Sequence, residues 1–403
     1  MSELTRASPA PAHAGDAAPD KMVEELAARP LRGVALVVFC TATVLAVALT
    51  LNQTLNLQFF LGYVLIENRY LYLLAALLLP LVFLAYAIDR GAEMDKVPWY
   101  DWLLAAASAA ALGWYAWQAH RALESGWEYS APTSAIIVAA IACALITEGM
   151  RRTSGTLMTV IVVIFGLYPL VAGSLPSPFS GHGKTLEDVI AYHIASSEAA
   201  FGIPMRAFGE IVVGYLVFGT ALNYTGGGKF FNDLAFALVG RWRGGAAQVG
   251  IISSALQGSI SGSVISNVIT SGVVTIPAMK RTGFRADYAG GVEAVASTGA
   301  VLMPPVMGST AFVMASFLGM SYGQVALAAA VPGLLFYFAL MVQVDAYAAR
   351  RGLAGMKVEE LPRAGQVMRD GWYFIPVFVA LVIFMVQEQR RRWRRSTPPP
   401  CCW

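Results

Sequence analysis

The chain has 403 residues, of which 57% are hydrophobic and only 13% charged, and its mean hydropathy is +0.59. Soluble domains carry about a quarter charged residues, so this composition excludes a disordered chain and an ordinary soluble enzyme. The formal net charge of +3 is too small to call for a nucleic-acid partner, and Cys40, Cys143, Cys401 and Cys402 form neither a disulfide framework nor a zinc spacing. The expected fold class is an all-α polytopic membrane protein, with the lipid bilayer as its first partner.

Residues 1–31 are Ala/Pro-rich and polar, and read as a disordered cytoplasmic tail. A spanning helix needs about 20 mostly apolar residues. Spans are expected at Gly33–Leu51, Tyr70–Ile88, Asp101–Gln118, Thr133–Thr147, Gly155–Gly173 and Ala207–Tyr224. The pattern then changes. The short apolar stretch Ala246–Gly258 leads into the small, polar run Gly258–Asn267, and Val268–Met279 closes the unit. Next comes Tyr288–Gly319, long but broken at Met303-Pro304-Pro305, then Gln324–Tyr347 and Trp372–Val386.

Basic residues decide whether the unit at 246–279 crosses the bilayer, because Lys and Arg concentrate in cytoplasmic loops. With the N-terminus inside and the unit folded back as a re-entrant hairpin, nineteen of the 23 Lys and Arg before residue 387 fall inside. Only Arg69, Arg121, Lys184 and Arg206 fall outside. A single crossing would leave eleven inside and twelve outside. The expectation is therefore about nine transmembrane helices, one re-entrant hairpin, one discontinuous helix at 288–319 and a cytoplasmic N-terminus. Arg390, Arg391, Arg392, Arg394 and Arg395 then lie outside, against the rule, ahead of the unusual ending Pro398-Pro-Pro-Cys-Cys-Trp403. We expect that the natural reading frame is lost near Gln387, so that 387–403 is an atypical tail. The alternative is a genuine basic tail behind a last span that does not insert.

Backbone at membrane depth must be satisfied internally, so a Gly/Ser-rich break is tolerated only inside protein or along a cavity. Broken helices present carbonyl ends to cations and N–H ends to anions. Ser259, Ser261, Ser263, Ser266, Asn267, Ser297 and Thr298 can add side-chain oxygens. Gly258, Gly262, Gly299 and Gly308 allow close approach, while Pro304 and Pro305 remove helical donors. Small residues also let helices pack tightly, but two adjacent hydroxyl-rich breaks point to a transport site. Glu293 is an acid inside a presumed span; it is either a proton or cation partner, a possible coupling acid, or a buried hydrogen-bonder that holds the hairpin.

The remaining signals are weaker. Gly181-His-Gly-Lys-Thr185 lacks the first glycine of a phosphate loop, since Pro178 stands there, and nucleotide binding is rejected. Leu175–Met205 reads as an outside loop with a surface helix, and Gly227–Arg243 as a helix in the inner interface. Trp99, Trp102, Trp114, Trp117 and Trp127 read as interfacial belt residues. Nothing supports catalysis, so no enzyme activity and no cofactor are expected.

The stretch Gln257-Gly-Ser-Ile-Ser-Gly-Ser-Val-Ile-Ser-Asn267 resembles the first hairpin of the large, DctM-like permease subunit of tripartite ATP-independent periplasmic (TRAP) transporters. Ile276-Pro-Ala-Met-Lys-Arg-Thr-Gly-Phe284 is similar to that family's hairpin exit. Gly291-Val-Glu-Ala-Val-Ala-Ser-Thr-Gly299 and Met303-Pro-Pro-Val-Met-Gly308 are similar to the branch served by TAXI-type binding proteins, in which small and large subunits are commonly fused. The resemblance implies a DctQ-like scaffold over 32–152 and the first of two inverted repeats of an elevator-type permease over 153–386. It implies a sodium-coupled importer in the bacterial inner membrane, to which a periplasmic binding protein delivers an organic acid. Carried over, Ser261, Gly262, Ser263 and Asn267 would lie at the first sodium site and the substrate cavity, faced by Ser297, Thr298, Gly299 and Pro304.

The chain departs from the family in having one hairpin and one broken helix where two of each are expected, so uptake by a chain of this length alone is not expected. The alternatives are a dicarboxylate/sodium symporter that needs no binding protein, and an inactive, truncated membrane scaffold.

Overall fold

The computed structural model describes residues 29–54, 65–88, 97–356, 359, 361–377, 379–380 and 383. The expected tail before residue 29, the atypical tail 387–403 and residues 378, 381, 382 and 384–386 of the last expected span lie outside the described residues. Every regular element among the described residues is helical, as the composition requires.

Two compact units are present, one built from Met1–Leu49 with Val64–Ser196 and the other from Thr50–Tyr63 with Ser197–Trp403. The first holds α1 (Val34–Thr54, in this unit as far as Leu49), α2 (Glu67–Ala85), α3 (Trp99–Glu124), α4 (Thr133–Ser154), α5 (Thr156–Val171) and α6 (Leu186–Ala195). Pro98 and Pro132 precede α3 and α4 with φ near −65°, the angle a helix start needs. Gly155, at φ 85°, separates α4 from α5.

A buried ion cluster ties the polar helix ends of this unit together. Asp101, in the first turn of α3, accepts from Arg29 Nη1 at 2.6 Å and from Arg152 Nη1 at 2.7 Å. Arg152 also donates from Nε to Glu148 at 2.8 Å. All three partners of the Arg29–Asp101–Arg152 triad are buried. Arg29, which the sequence places in the tail, is thus pinned into the unit. Trp127 is buried and stacks on Trp114 with ring centroids 5.9 Å apart, so it is a core residue, unlike the exposed Trp99 and Trp117. A helix does form within the expected loop segment, as α6, and one of its faces is buried: Val189, Ala191 and Ile194 are covered, and Tyr72 donates to the Ile194 carbonyl at 2.8 Å.

The second unit holds α7 (Ile203–Ala207), a wide π turn (Phe208–Val212), α8 (Val213–Tyr224), α9 (Gly227–Val239), α10 (Gly245–Ser261), α11 (Val264–Arg281) and α12 (Ala286–Thr298, extended by a 3-10 turn to Val301). It continues with α13 (Ser309–Phe317), α14 (Tyr322–Arg351) and α15 (Ala364–Gly371). Helix α10 is central and packs on α9, α11, α12 and α14. Its small residues make this possible: Gly245, Ala246, Ala247, Gly250, Ser253, Ser254, Ala255 and Gly258 are all buried.

The hairpin returns to its starting side. A Cβ at Gly244, just before α10, would stand 3.3 Å from the ring of Phe284, just after α11. The polar run is more helical than its composition suggests. Only Gly262 and Ser263 interrupt α10 and α11. Ser259 donates its hydroxyl back to the Leu256 carbonyl at 2.7 Å, which lets serine sit inside a helix, and Gly262 makes the reversal at φ 57°.

Six helical segments among the described residues are long and apolar enough to cross a membrane, within 34–54, 67–85, 133–154, 156–174, 203–222 and 322–351. Helix α3 is 26 residues long but alanine-rich and stands outside this set. The discontinuous helix consists of two shorter pieces, α12 and α13.

Candidate functional site

The hairpin tip is seated on the loop that breaks the second helix. Val306 donates its backbone N–H to the Ser259 carbonyl at 2.9 Å. A Cβ at Gly262 would stand 2.5 Å from the Met307 carbonyl oxygen, and one at Gly258 would stand 2.3 Å from Ala300 Cβ. Both positions therefore require glycine for contact, and Gly262 also requires it for its positive φ. The break loop is fixed from α14: Tyr322 donates to the Pro305 carbonyl at 2.8 Å and accepts from the Met307 N–H at 3.1 Å.

One turn below the tip lies Asn267, 1% exposed. Its Nδ2 donates to the Ser254 carbonyl at 3.0 Å, tying the two hairpin arms together, while its Oδ1 is buried with no partner. Ser261 and Ser263 are partly exposed at the tip, and their hydroxyl oxygens accept only long bonds of 3.4 Å, from the Ser263 and Ser266 N–H groups. These oxygens keep lone pairs free.

Deeper still, Glu293 is 1% exposed and sits where α10, α11 and α12 meet. Oε1 accepts from Ser254 at 3.2 Å and from Ser297 at 3.3 Å, and also pairs with the Ser271 hydroxyl. Oε2 accepts from Thr275 at 2.5 Å. A Cβ at Gly272 would stand 3.3 Å from Glu293 Cγ, so this glycine makes room for the acid. No described lysine, arginine or histidine forms an ion pair with Glu293. A second polar chain runs on the other side of α10: Ser253 donates to Asn232 of α9, Gln257 Nε2 donates to Ser253 at 3.2 Å, and Thr270 donates to Gln257 at 2.9 Å.

The structure thus brings together Ser261, Gly262 and Ser263 of the hairpin turn with the break loop that carries Pro304. It places Asn267 one layer down and Ser297 beside Glu293. Thr298 is exposed and bonds back to the Ala294 carbonyl of its own helix at 2.8 Å. Gly299 is buried against α14, where a Cβ would stand 2.5 Å from the Phe336 ring. Sequence reasoning did not single out Asn232, Ser253, Ser254, Gln257, Ser271 and Thr275. The usable signal was spacing: Asn267, Ser271 and Thr275 on α11, and Glu293 and Ser297 on α12, recur every four residues and form a polar stripe on one helix face.

A hairpin of two helices seated on a discontinuous helix, in a chain with multiple membrane-length apolar helices, defines a multi-pass membrane protein with the build of a secondary carrier. Residues 136–391 match the family described as "Tripartite ATP-independent periplasmic transporter, DctM component", and the chain belongs to that family. It is 26% identical over 215 residues to the C4-dicarboxylate TRAP transporter large permease protein DctM of Rhodobacter capsulatus, covering 50% of this chain and 44% of that relative. It is 30% identical over 158 residues to the Pseudomonas aeruginosa protein of the same description, covering 39% and 35%. The sialic acid TRAP transporter large permease protein SiaM of Vibrio cholerae is 30% identical over 138 residues, covering 34% and 32%. The chain covers less than half the length of each of these relatives.

Proposed function

We propose that this chain is the permease component of a binding-protein-dependent importer of organic acids in the inner membrane, driven by an ion gradient, with sodium as the coupling ion. The observation that carries the reading is the buried, unpartnered Oδ1 of Asn267 directly below a hairpin tip seated on a broken helix. A buried acceptor without a partner costs about 1–3 kcal/mol, and a hard cation such as sodium favours oxygen donors of this kind. Asn267, with the hydroxyls of Ser261 and Ser263, supplies such donors, and Gly262 lets the turn approach closely. Ser297, Thr298, Gly299 and Pro304 belong to the facing element; of these, Thr298 bonds to its own helix, which makes it the weakest member.

A carboxylate substrate is supported by the N-terminus of α11, whose first N–H groups lie at the same tip and favour an anion. The named relatives act on C4-dicarboxylates and sialic acid, which are carboxylates. Membership of the family supports a periplasmic binding protein as partner, and residues 291–308 support its TAXI type. The distribution of Lys and Arg supports a cytoplasmic N-terminus.

The test is thermal melting of the purified chain in lipid nanodiscs, in sodium against potassium at equal ionic strength, with a panel of simple dicarboxylates and keto acids. We expect sodium to raise Tm and the acids to add a further rise only in sodium. Identical melting in both salts, with and without acids, would refute the reading.

A further inference from the structure

We infer that the cleft between α9 and α15 is a phospholipid site that takes a headgroup carrying both a phosphate and a primary ammonium, of the phosphatidylethanolamine type. Lys229 and the first turn of α9 hold the phosphate, and Asp370 at the end of α15 holds the ammonium. The inference goes beyond the importer reading. It rests on the placement of α9 at the inner membrane interface and not on the cation site.

The two helices enclose a cavity of about 450 Å³. Its walls run antiparallel. A Cβ at Gly371, the last residue of α15, would stand 2.1 Å from the Phe230 ring in the first turn of α9. One at Gly240, just after α9, would stand 2.5 Å from Leu361, just ahead of α15. The floor is apolar and closed: Phe230, Val367 and Phe374 are buried, and the two phenylalanine rings stack with centroids 5.3 Å apart. The rim is charged. Lys229 and Asp233 lie one turn apart on α9, and Arg363 and Asp370 two turns apart along α15.

Antiparallel packing sets each cation across from an acid of the other wall, Lys229 from Asp370 and Arg363 from Asp233. Among the described residues neither couple closes into an ion pair. A cation and an acid that face each other without touching are complementary to a zwitterion laid across the gap. At the Lys229–Asp370 end the helix termini reinforce the side chains. Helix α9 starts after Gly226 without a side-chain cap, so its first N–H groups favour an anion beside Lys229. Asp370 stands in the last turn of α15, where carbonyl ends favour a cation.

The rim also selects among headgroups. A purely anionic headgroup would bring its charge against Asp233 and Asp370 with nothing to offer them. A choline headgroup carries both charges, but its quaternary nitrogen has no N–H to donate to a carboxylate. A primary ammonium does, and hydrogen bonds between ionised partners are the strong ones. The apolar surroundings favour a lipid over a soluble phosphoamine. From α15 the chain runs directly into Trp372, Tyr373, Ile375 and Val377, all exposed at the start of the last expected span. Acyl chains of a lipid held in the cleft would lie along them.

The test is native mass spectrometry of the chain purified in detergent, with equal amounts of dioleoyl phosphatidylethanolamine, phosphatidylcholine or phosphatidylglycerol added. The ethanolamine lipid should bind at least about tenfold more tightly than the choline lipid, as one hydrogen bond to a charged group gives, and the glycerol lipid no better than the choline lipid. Asp370→Asn should abolish the preference for ethanolamine over choline, and Asp370→Glu should keep it. Lys229→Gln should weaken binding of both. These substitutions are at exposed positions, and thermal melting checks that the variants fold. The order of the three lipids on the parent chain tests the inference even where a variant does not fold. Equal binding of the three lipids, tightest binding of the glycerol lipid, or an undiminished ethanolamine preference in folded Asp370→Asn would overturn it. The readout involves no cation. A chain that prefers the ethanolamine lipid but melts identically in sodium and potassium, with and without acids, would sink the importer reading and leave the lipid site standing.

Discussion

Gly244 and Phe284, forty residues apart in sequence, are neighbours: a Cβ on the glycine would lie 3.3 Å from the phenylalanine ring. They bracket α10 and α11, so the two ends of the hairpin share one end of the second unit. This is the arrangement that the count of Lys and Arg demanded, reached by an independent route. It makes a direct topological prediction. In a cysteine-free background, Arg241→Cys and Arg281→Cys, both exposed positions, should react with a membrane-impermeant maleimide from the same face, the cytoplasmic one. Labelling from opposite faces would mean that the unit crosses.

The seam between hairpin and broken helix depends on glycine. Gly258→Ala places a methyl group 2.3 Å from Ala300 Cβ and should destabilise the chain by about 1–3 kcal/mol, the usual cost of overpacking. Gly290→Ala, on α12 with nothing within 4 Å, should be neutral or stabilising by about 0.5–1 kcal/mol, because alanine is the better helix former. Denaturant melts in detergent should place Gly258→Ala below the parent and Gly290→Ala at or above it. A Gly258→Ala variant as stable as the parent would remove the seam from the account.

In the first unit, Asp101 is the only acid bonded to both Arg29 and Arg152 among the described residues. Asp101→Asn removes the countercharge of buried Arg29 and leaves buried Arg152 with Glu148 alone, and should cost about 3–5 kcal/mol. Asp287→Asn breaks an exposed pair and should change stability by less than about 1 kcal/mol. Comparing the two melts separates buried from surface electrostatics within one chain.

Much of the architecture was legible because charge and hydropathy act over whole helices. The short apolar arms, the Gly/Ser run and the Pro304-Pro305 break announced the hairpin and the discontinuous helix. The fine structure of the site was not legible. Serine next to glycine reads as a helix breaker, yet Ser259 bonds within its own turn and the helix continues to Ser261. The role of Asn232 as a partner of Ser253 depends on which helix packs beside α10, and no local pattern carries that information. Arg29 sits in a segment of tail-like composition, and only its partner Asp101, 72 positions away, draws it into the fold. Trp127 looks like a belt residue until Trp114 is seen to stack on it.

The central claim is that the hairpin tip holds a coupling cation through Asn267. Its most direct measurement is equilibrium binding of radioactive sodium to the purified chain in nanodiscs, with potassium as competitor and Asn267→Ala as control. The account predicts saturable binding that potassium does not displace and that falls at least about tenfold in affinity in Asn267→Ala, as a loss of roughly 1.4 kcal/mol would give. Absence of specific sodium binding in the parent chain, or undiminished binding in a folded Asn267→Ala variant, would contradict it.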